Sequence, residues 1–552
     1  MKSNNYRIVK ELLSKSEQSE LPSEIGYVII YSFLFKYFSD NLKDYLLFEI
    51  QSEELTLDEA YKLPKYQKDF QTKALQMFGY YIKKPHSFYD EIINSKKPLN
   101  DFFNMLSQNL IFDFQSRDNY YFNYLFDVFA DEIHMDKYSN DDKIYLTIKE
   151  IIVMISKLDL FEDDLTFRQA FDIISKSKFF NVDYNQEYIA QILSSLISTQ
   201  KNYITSAYNP FINNGETLFK LAEKIELGLN NIYGKESDKL MYCLNIVKLY
   251  LNSFNLDNIC LKQENAMDSI DINGLTFDVI LSKIPQSIEN YHSNSNQIFE
   301  MAKRSRKNKL EEILLENFPV DNESFIQNRE LNKALDNLID KIDISKDYVD
   351  FAKGYEELLD CEFLFLINLI DCLNDGGIMA VSISQNFLYK NNLNLLRKYL
   401  THEKNYIDTI INLSGEFEKS TKSNVVIIFK KNKLNKDILF IDMSKDYKTQ
   451  KNDNGFVKNI ILDGKSLTKL CEVFSKRMVV DRFSNKITID EIIKNEFNLS
   501  VSLYVDTFDG EFISLSEVLK QKQKIDLKLS DLDSEIDELM DDLNINYSLP
   551  IR

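Results

Sequence analysis

Residues 203–236 read YITSAYNPFINNGETLFKLAEKIELGLNNIYGKE and change hydrophobic pattern twice. The apolar run Tyr203–Tyr208 predicts a strand, Thr217–Leu229 has helical spacing, and Asn231–Tyr233 predicts a second strand. A strand, a helix and a strand joined by short connections are typical of two parallel strands with a crossover helix. This stretch therefore predicts an α/β fold.

The same alternation continues towards the C-terminus. Helical spacing is found in Lys239–Phe254 and Leu393–Leu400, and strand-like runs are found in Ile259–Lys262, Phe277–Leu281, Ile378–Ile383, Ile407–Leu413 and Val425–Phe429. Gly376 and Gly377 follow the helix-like Glu356–Leu373 and predict the end of that helix and the start of the next strand. The pattern predicts a mostly parallel, doubly wound sheet.

The regions on either side of this alternation have a different character. Residues 1–175 are predicted to form a helical domain, because apolar residues from Tyr27 to Leu42 recur every three or four positions and strand-like alternation is not convincing there. Residues 176–480 form the predicted α/β domain, with a polar insert at about 287–350. Residues 481–552 form a C-terminal segment whose final helix has a heptad seam at Leu529, Leu532, Ile536, Leu539 and Leu543.

Composition limits the possible classes of protein. Hydrophobic residues make up 44% of the 552 residues, which excludes a mainly disordered chain. The net charge of −20 restricts any nucleic-acid binding to a local basic face. The N-terminus lacks the apolar core of a signal peptide, and the five cysteines are scattered without a CxxC pair, so we expect reduced thiols in the cytoplasm and no metal site.

Several motifs occur in an order that resembles a known family. The segment FDVIL at 277–281, the stretch from Gly376 to Lys431, and NEFNL at 495–499 followed by Tyr504-Val505 are similar to segments of the modification (M) subunits of type I restriction-modification systems. These are N6-adenine DNA methyltransferases. The resemblance implies a Rossmann-type, class I methyltransferase domain that uses S-adenosylmethionine, preceded by a helical domain and followed by a C-terminal helix.

The cofactor positions implied by the resemblance depart from the family pattern. The family loop D-P-x-C-G-S-G corresponds here to Asn209-Pro210-Phe211-Ile212-Asn213-Asn214-Gly215. Glycines allow close approach to a cofactor, whereas the side chains of Ile212 and Asn213 take up room, although Asn213 can adopt a left-handed conformation. Glu236 would accept hydrogen bonds from the ribose, or would alternatively be only a helix N-terminal carboxylate. Asn265 stands where the family often has an aspartate near the adenine.

The implied catalytic motif departs further. The family's N-P-P-[FY] corresponds to Lys283-Ile284-Pro285-Gln286. Methylation of a flipped-out adenine requires an asparagine oxygen and a proline carbonyl to accept the hydrogens of the amine, and an aromatic ring to stack on the base. Lysine has three donors and no acceptor, and Gln286 offers no ring. We therefore expect little adenine methylation. The alternative is that this strand end is simply a turn in an unrelated α/β fold.

Two further segments suggest partners. The basic run Lys303, Arg304, Arg306, Lys307 and Lys309 could meet DNA phosphates, or could be a solvated helix face balanced by Glu311 and Glu312. The resemblance implies that the acidic C-terminal helix packs on a specificity subunit, whereas the alternative is a domain-closing helix. DNA and a specificity subunit are the expected partners, together with a second M subunit or a restriction subunit, and a membrane is not.

Three functional hypotheses remain open. The first is a catalytically impaired methyltransferase-fold protein that binds DNA or protein in a DNA-modification or defence complex. The alternative is an active S-adenosylmethionine-dependent adenine-N6 methyltransferase with an unusual pocket. The third is a scaffold that pairs with an active M subunit.

Overall fold

A computed structural model provides the fold of most of the chain. It describes residues 4–17, 21–22, 24–50, 55–83, 110–112, 118–133, 142–161, 164–180, 185–225, 228–252, 254, 258–266, 275–284, 365–366, 369–413, 424–445, 448–451, 457–461, 464–507, 519–520, 522–530, 532 and 534. The chain divides into two compact units, Met1–Val505 and Asp506–Arg552.

The N-terminal part is mainly helical, as predicted. Its helices are α1 (Asn4–Ser16), α2 (Ile25–Glu49), α3 (Leu57–Lys62), α4 (Pro64–Phe78), α5 (Asp118–Glu132), α6 (Asp142–Ser156), α7 (Phe167–Ser175) and α8 (Asn185–Ser198). Every residue from Ile25 to Phe35 is buried, so the first turns of α2 are enclosed on all sides rather than along one stripe. This helix is the centre of the N-terminal core.

A small hairpin interrupts these helices. Strands β1 (Tyr80–Ile82) and β2 (Leu110–Phe112) pair antiparallel, with Tyr80 opposite Phe112. The prediction that the first 175 residues contain no convincing strand was therefore wrong. Strands of three residues are too short for the alternation of polar and apolar residues to show.

The predicted mostly parallel sheet is confirmed, and nine of its strands lie in the described residues. They are β3 (Ile204–Asn209), β4 (Leu229–Glu236), β5 (Ile259–Gln263), β6 (Phe277–Lys283), β7 (Leu373–Ser384), β8 (Ile407–Asn412), β9 (Asn424–Lys430), β10 (Ile438–Asp442) and, after a separate hairpin of β11 (Lys448–Lys451) and β12 (Val457–Ile461), β13 (Ser484–Ile487). The order is β13-β10-β8-β9-β7-β6-β3-β4-β5, with β9 and β13 antiparallel to their neighbours. Strand order reverses between β3 and β6, where doubly wound sheets bind ligands.

The helices that follow the strands of this sheet connect and cover it. They are α9 (Glu216–Lys224), α10 (Lys239–Leu251), α11 (Asn386–Tyr389), α12 (Asn394–Lys398), α13 (Gly464–Lys476) and α14 (Ile489–Lys494). Adjacent strand residues face opposite sides, so Ala207 belongs to the core shared with α2 and α10, whereas Tyr208 belongs to the second core. Because both faces are covered, interior strands such as β6 and β9 are apolar along most of their length.

The glycine pair at 376–377 has a different place from the one predicted. Strand β7 begins at Leu373, so both glycines lie inside it rather than ahead of it. Phe277 of β6 pairs with Leu373 of β7, but the next pair is Val279 with Ile378, so β7 has extra residues at this point. Gly376 is one of these residues and has a φ of 72°. The glycines thus permit an irregularity within the strand.

The C-terminal unit is helical in its described residues from 519 onward. Residues 519–520, 522–530, 532 and 534 are helical, and Leu527 and Leu532 are exposed. The heptad residues Ile536, Leu539 and Leu543 lie outside the described residues. The predicted domain boundaries stay predictions, although β13 extends the sheet past residue 480.

A membrane-spanning element was not predicted from the sequence. Within the described part of the chain, none of the helices combines the length and the apolar character needed to cross a bilayer.

Candidate functional site

A cavity of about 740 Å³ opens beside the carboxyl ends of β3 and β4. Asn213, Glu236 and Asp238 line it from the loops that follow these strands. The opposite wall comes from the N-terminal helical part and includes Ile25 and the segment Lys178–Phe180. The cavity therefore lies where the resemblance places the cofactor, and Phe179 and Phe180 are lining residues that the sequence did not predict.

The loop after β3 holds a fixed, compact shape. Asn213 and Gly215 both have positive φ values, 56° and 81°. The side chain of Asn209 is buried, and its Oδ1 accepts a hydrogen bond from the Phe211 N–H at 3.0 Å. Its Nδ2 is also buried and has no hydrogen-bond partner among the described residues. The expected left-handed conformation of Asn213 is confirmed.

Ile212 fills space that the family pattern leaves to a smaller residue. Its side chain is 3% exposed and packs over Gly234, where a Cβ atom would lie 2.3 Å from Ile212 Cδ1. The Ile212 N–H donates to the Lys235 carbonyl at 3.1 Å. The loop is therefore seated on the end of β4, with Pro210 buried behind it.

Glu236 ties the loop to the end of β4. Its Oε2 accepts from the Asn213 N–H at 2.7 Å, and its Oε1 accepts from the Asp238 N–H at 2.9 Å. Burial raises the pKa of this carboxyl above its ordinary range. Asp238 is the residue that caps α10, because its Oδ1 accepts from the Met241 N–H at 2.8 Å. The Glu236 carboxylate thus holds the loop against the end of β4. Its contact with the ribose of the cofactor stays a prediction.

These contacts test whether the residues fit S-adenosylmethionine. Five of the six backbone N–H groups from Phe211 to Glu216 donate within the protein, to Asn209, Lys235, Glu236, Ile212 and, at 3.5 Å, Asn214. A glycine-rich loop works by offering such donors and an open backbone to its ligand. The backbone of the loop is therefore not suited to bind S-adenosylmethionine, although the cavity beside the loop has room for a ligand.

An ion cluster around the buried Lys248 and Glu216 lies beneath the loop and was not predicted. Lys248 of α10 is 2% exposed, and its Nζ lies 2.8 Å from Glu216 Oε1 and 3.3 Å from Asp172 Oδ1. Lys176 lies 2.9 Å from Asp172 Oδ2 and 3.4 Å from Glu216 Oε2. We call Asp172, Lys176, Glu216 and Lys248 the ion cluster. The only sequence signal for it is a lysine inside the apolar run of α10.

The ion cluster predicts how stability depends on pH. Burial alone would raise the pKa of Glu216, but Lys248 and Lys176 outweigh it and hold the pKa below its ordinary range. A lowered folded-state pKa contributes stability above the unfolded pKa of about 4.3, and this contribution is lost as the pH falls through the folded pKa. Urea unfolding is expected to show the Glu216→Gln variant as less stable at pH 7, with the two curves of stability against pH converging as the pH falls below about 4.3. Parallel curves would contradict this.

The structure describes only two of the four positions of the implied catalytic motif, Lys283 and Ile284. Lys283 ends β6 and is paired with Ser382 of β7, and the N–H of the buried Ile284 donates to the Ser382 carbonyl at 3.0 Å. Since β6 runs parallel to β3, Lys283 and Asn209 leave the sheet at the same edge. Pro285, Gln286 and the basic run Lys303, Arg304, Arg306, Lys307 and Lys309 lie outside the described residues. Asn265 is half-buried after β5.

The NEFNL segment packs near this edge of the sheet. Glu496 and Phe497 have φ values of 53° and 56°. The buried Arg397 of α12 donates to the carbonyls of Phe497 at 2.6 Å, Lys390 at 2.8 Å and Phe387 at 3.1 Å. Burial lowers the pKa of Arg397 to about 10. Two segments that carry the resemblance, the one with Arg397 and the one with Phe497, are therefore in contact.

Metal ligands do not come together in the described residues. Throughout the part of the chain that the structure describes, His, Cys, Asp and Glu side chains form no group that could hold a metal ion.

Comparison with known proteins finds a DNA methylase family and methylase subunits of type I restriction enzymes. A family model described as N-6 DNA Methylase matches residues 328–511. The type I restriction enzyme MpnII methylase subunit of Mycoplasma pneumoniae is 25% identical over 196 residues, which cover 34% of this chain and 35% of that protein. The type I restriction enzyme MjaVII methylase subunit of Methanocaldococcus jannaschii is 30% identical over 139 residues, 24% of each protein. These matches confirm the predicted resemblance, over about a third or less of the relatives' length.

A solved structure has a similar fold over a larger part of the chain than the sequence matches cover. It is that of the type I restriction-modification system methyltransferase subunit from Streptococcus thermophilus, with a TM-score of 0.64 and 18% sequence identity, and it covers 92% of this chain and 100% of that chain. The chain therefore has the fold of a methyltransferase subunit. Its activity, substrates and partners are not fixed by this likeness.

Proposed function

We propose that this chain, which resembles the methylase subunits of type I restriction enzymes, is a catalytically impaired subunit of a DNA-modification or defence complex. In this proposal it contributes by binding DNA and a specificity subunit, through a methyltransferase fold that transfers methyl groups poorly or not at all. The cytoplasm is the expected compartment.

One observation carries the proposal, the lysine at the end of β6. Lys283 leaves the sheet beside Asn209, at the edge next to the point of strand reversal. A flipped adenine amine needs an acceptor for its hydrogens in the position that the resemblance assigns to Lys283. A lysine ammonium offers only donors, so it cannot raise the nucleophilicity of the nitrogen.

The cofactor loop supports the same conclusion. Its N–H groups are engaged within the protein, and Ile212 is packed on Gly234 rather than leaving an opening. Asn209 also removes a negative charge that would favour a cationic ligand. S-adenosylmethionine binding is therefore expected to be weak.

The alternative is an active S-adenosylmethionine-dependent adenine-N6 methyltransferase. The open cavity favours it, because about 740 Å³ lies in the range of small-molecule sites. The carboxylate of Glu236 supports it as well, since an ionised carboxylate has about four acceptor positions and two backbone donors occupy only part of them.

Titration calorimetry with S-adenosylmethionine distinguishes the two. The unaltered protein is expected to show no micromolar binding, whereas the Asn209→Asp, Asn213→Gly variant should bind more tightly because it regains the acid and the glycine. Glu236→Ala in that variant is the control that should remove the gain. Micromolar binding by the unaltered protein, together with methyl incorporation into DNA, would overturn the proposal. Co-purification with a specificity subunit tests the partner.

A further inference from the structure

The two walls of the cavity are joined by the ion cluster. One wall includes Asn213, and the next carbonyl along the chain, that of Asn214, accepts a hydrogen bond from Lys248 Nζ at 3.2 Å. The other wall is Lys178–Phe180, which follows Lys176 of the cluster after a single residue. The cluster therefore holds both walls through side chains and a short length of backbone.

Lys248 is the residue on which these contacts converge. It contacts Glu216 at the start of α9, the Asn214 carbonyl in the loop, and Asp172 of α7. Asn245, one turn earlier on α10, donates to the Asn213 carbonyl. Two consecutive loop carbonyls are thus held by side chains of α10. Glycines are absent from the middle of this loop, so its shape depends on these tethers.

Burial makes the Lys248 contacts strong and their loss costly. Lys248 and Glu216 are 2% and 4% exposed, so water cannot replace the missing partner when one of them is removed. Lys176 contacts both acids of the cluster but is itself partly exposed. Lys248 is therefore the residue whose removal should release the loop.

We propose that Lys248 is a positioning residue, which holds the loop after β3 and the Lys178–Phe180 wall at a fixed separation. The two links are the hydrogen bond of Lys248 to the Asn214 carbonyl and its ion pair with Asp172 of α7. This inference concerns the shape of the cavity and does not depend on what the cavity binds. Its test uses the ligand-free protein, so it can succeed or fail whether or not the chain methylates DNA.

Hydrogen–deuterium exchange of the full chain tests the proposal. In Lys248→Met, peptides covering 211–219 and 177–180 are expected to exchange at least about tenfold faster. The variant loses the hydrogen bond of Lys248 to the Asn214 carbonyl and its ion pair with Asp172 of α7, the helix that precedes 177–180. Peptides from β8 and β9 should change less than about twofold. The matched control is Lys239→Met on the same helix, where an exposed lysine pairs with Glu132 at 2.8 Å. It should leave both walls unchanged.

A second variant distinguishes an effect on the position of the loop from an effect on the stability of the whole protein. Adding Glu216→Gln to Lys248→Met removes the buried carboxylate that has lost its closest cation, since Lys176 and Lys220 lie farther from it. The urea midpoint should therefore recover, but the Asn214 carbonyl stays without its tether and loop exchange should stay fast. If loop exchange recovers together with stability, the proposal is overturned. The same holds if Lys248→Met speeds exchange equally everywhere or nowhere. Should Lys248→Met not fold, Lys176→Met at the partly exposed end of the cluster must speed exchange at 177–180, or the proposal fails.

Discussion

Methyl transfer to adenine by the unaltered protein is expected to be at least about 10²–10³-fold slower than by a variant with four of the motif departures reversed. That variant combines Lys283→Asn and Gln286→Tyr with Asn209→Asp and Asn213→Gly. The first pair supplies an amide oxygen for the amine and a ring for the base, and the second pair restores the acid and a glycine beside the cavity. Incorporation of labelled methyl groups from S-adenosylmethionine into DNA is the measurement.

The matched control places the asparagine on another strand. Lys262→Asn in β5, combined with the other three changes, keeps the composition of the variant but leaves Lys283 at the end of β6. It should stay as slow as the unaltered protein. If the unaltered protein already methylates adenines at the rate of the full variant, Lys283 is no obstacle to the chemistry and the proposed impairment is wrong.

Much of the fold was predictable because its central elements are buried on both faces. The runs Phe277–Leu281, which only Asp278 interrupts, and Val425–Phe429 are apolar segments in the sequence and interior strands in the structure. Their burial leaves little choice of residue type. The hairpin of β1 and β2 could not be predicted, since three-residue strands carry too little periodicity. The glycine pair was misplaced because an irregular strand and a helix end use glycine for the same conformational reason.

The site was predictable only as far as topology determines it. The end of a strand follows from the hydrophobic pattern, so Asn209, Glu236 and Lys283 could be assigned to one edge of the sheet from the sequence alone. The ion cluster could not be predicted, because it joins Asp172, Glu216 and Lys248 from three separate helices. The contact of Arg397 with the Phe497 carbonyl spans 100 residues and has no local signature either. Long-range polar contacts depend on packing that periodicity does not encode.

Gly215→Ala is expected to lower the free energy of unfolding by about 3 kcal/mol or more. Gly215 stands before α9 with a φ of 81°, a region that costs an alanine about 1–2 kcal/mol. A Cβ atom would also lie 2.1 Å from Asn245 Oδ1 and 2.6 Å from Phe219 Cε2. Neither contact is tolerable, so α9 would have to move away from α10. Urea unfolding measures the loss.

Gly79→Ala is the control that isolates the crowding. Gly79 ends α4 with a φ of 73°, close to that of Gly215, but a Cβ atom there would meet nothing within 4 Å. It should therefore cost only the conformational penalty, about 1 kcal/mol. The difference between the two variants measures how tightly α9 and α10 pack at the end of the loop. Equal losses would mean that the loop can shift without cost, and the close packing between the loop and α10 would then contribute nothing to stability.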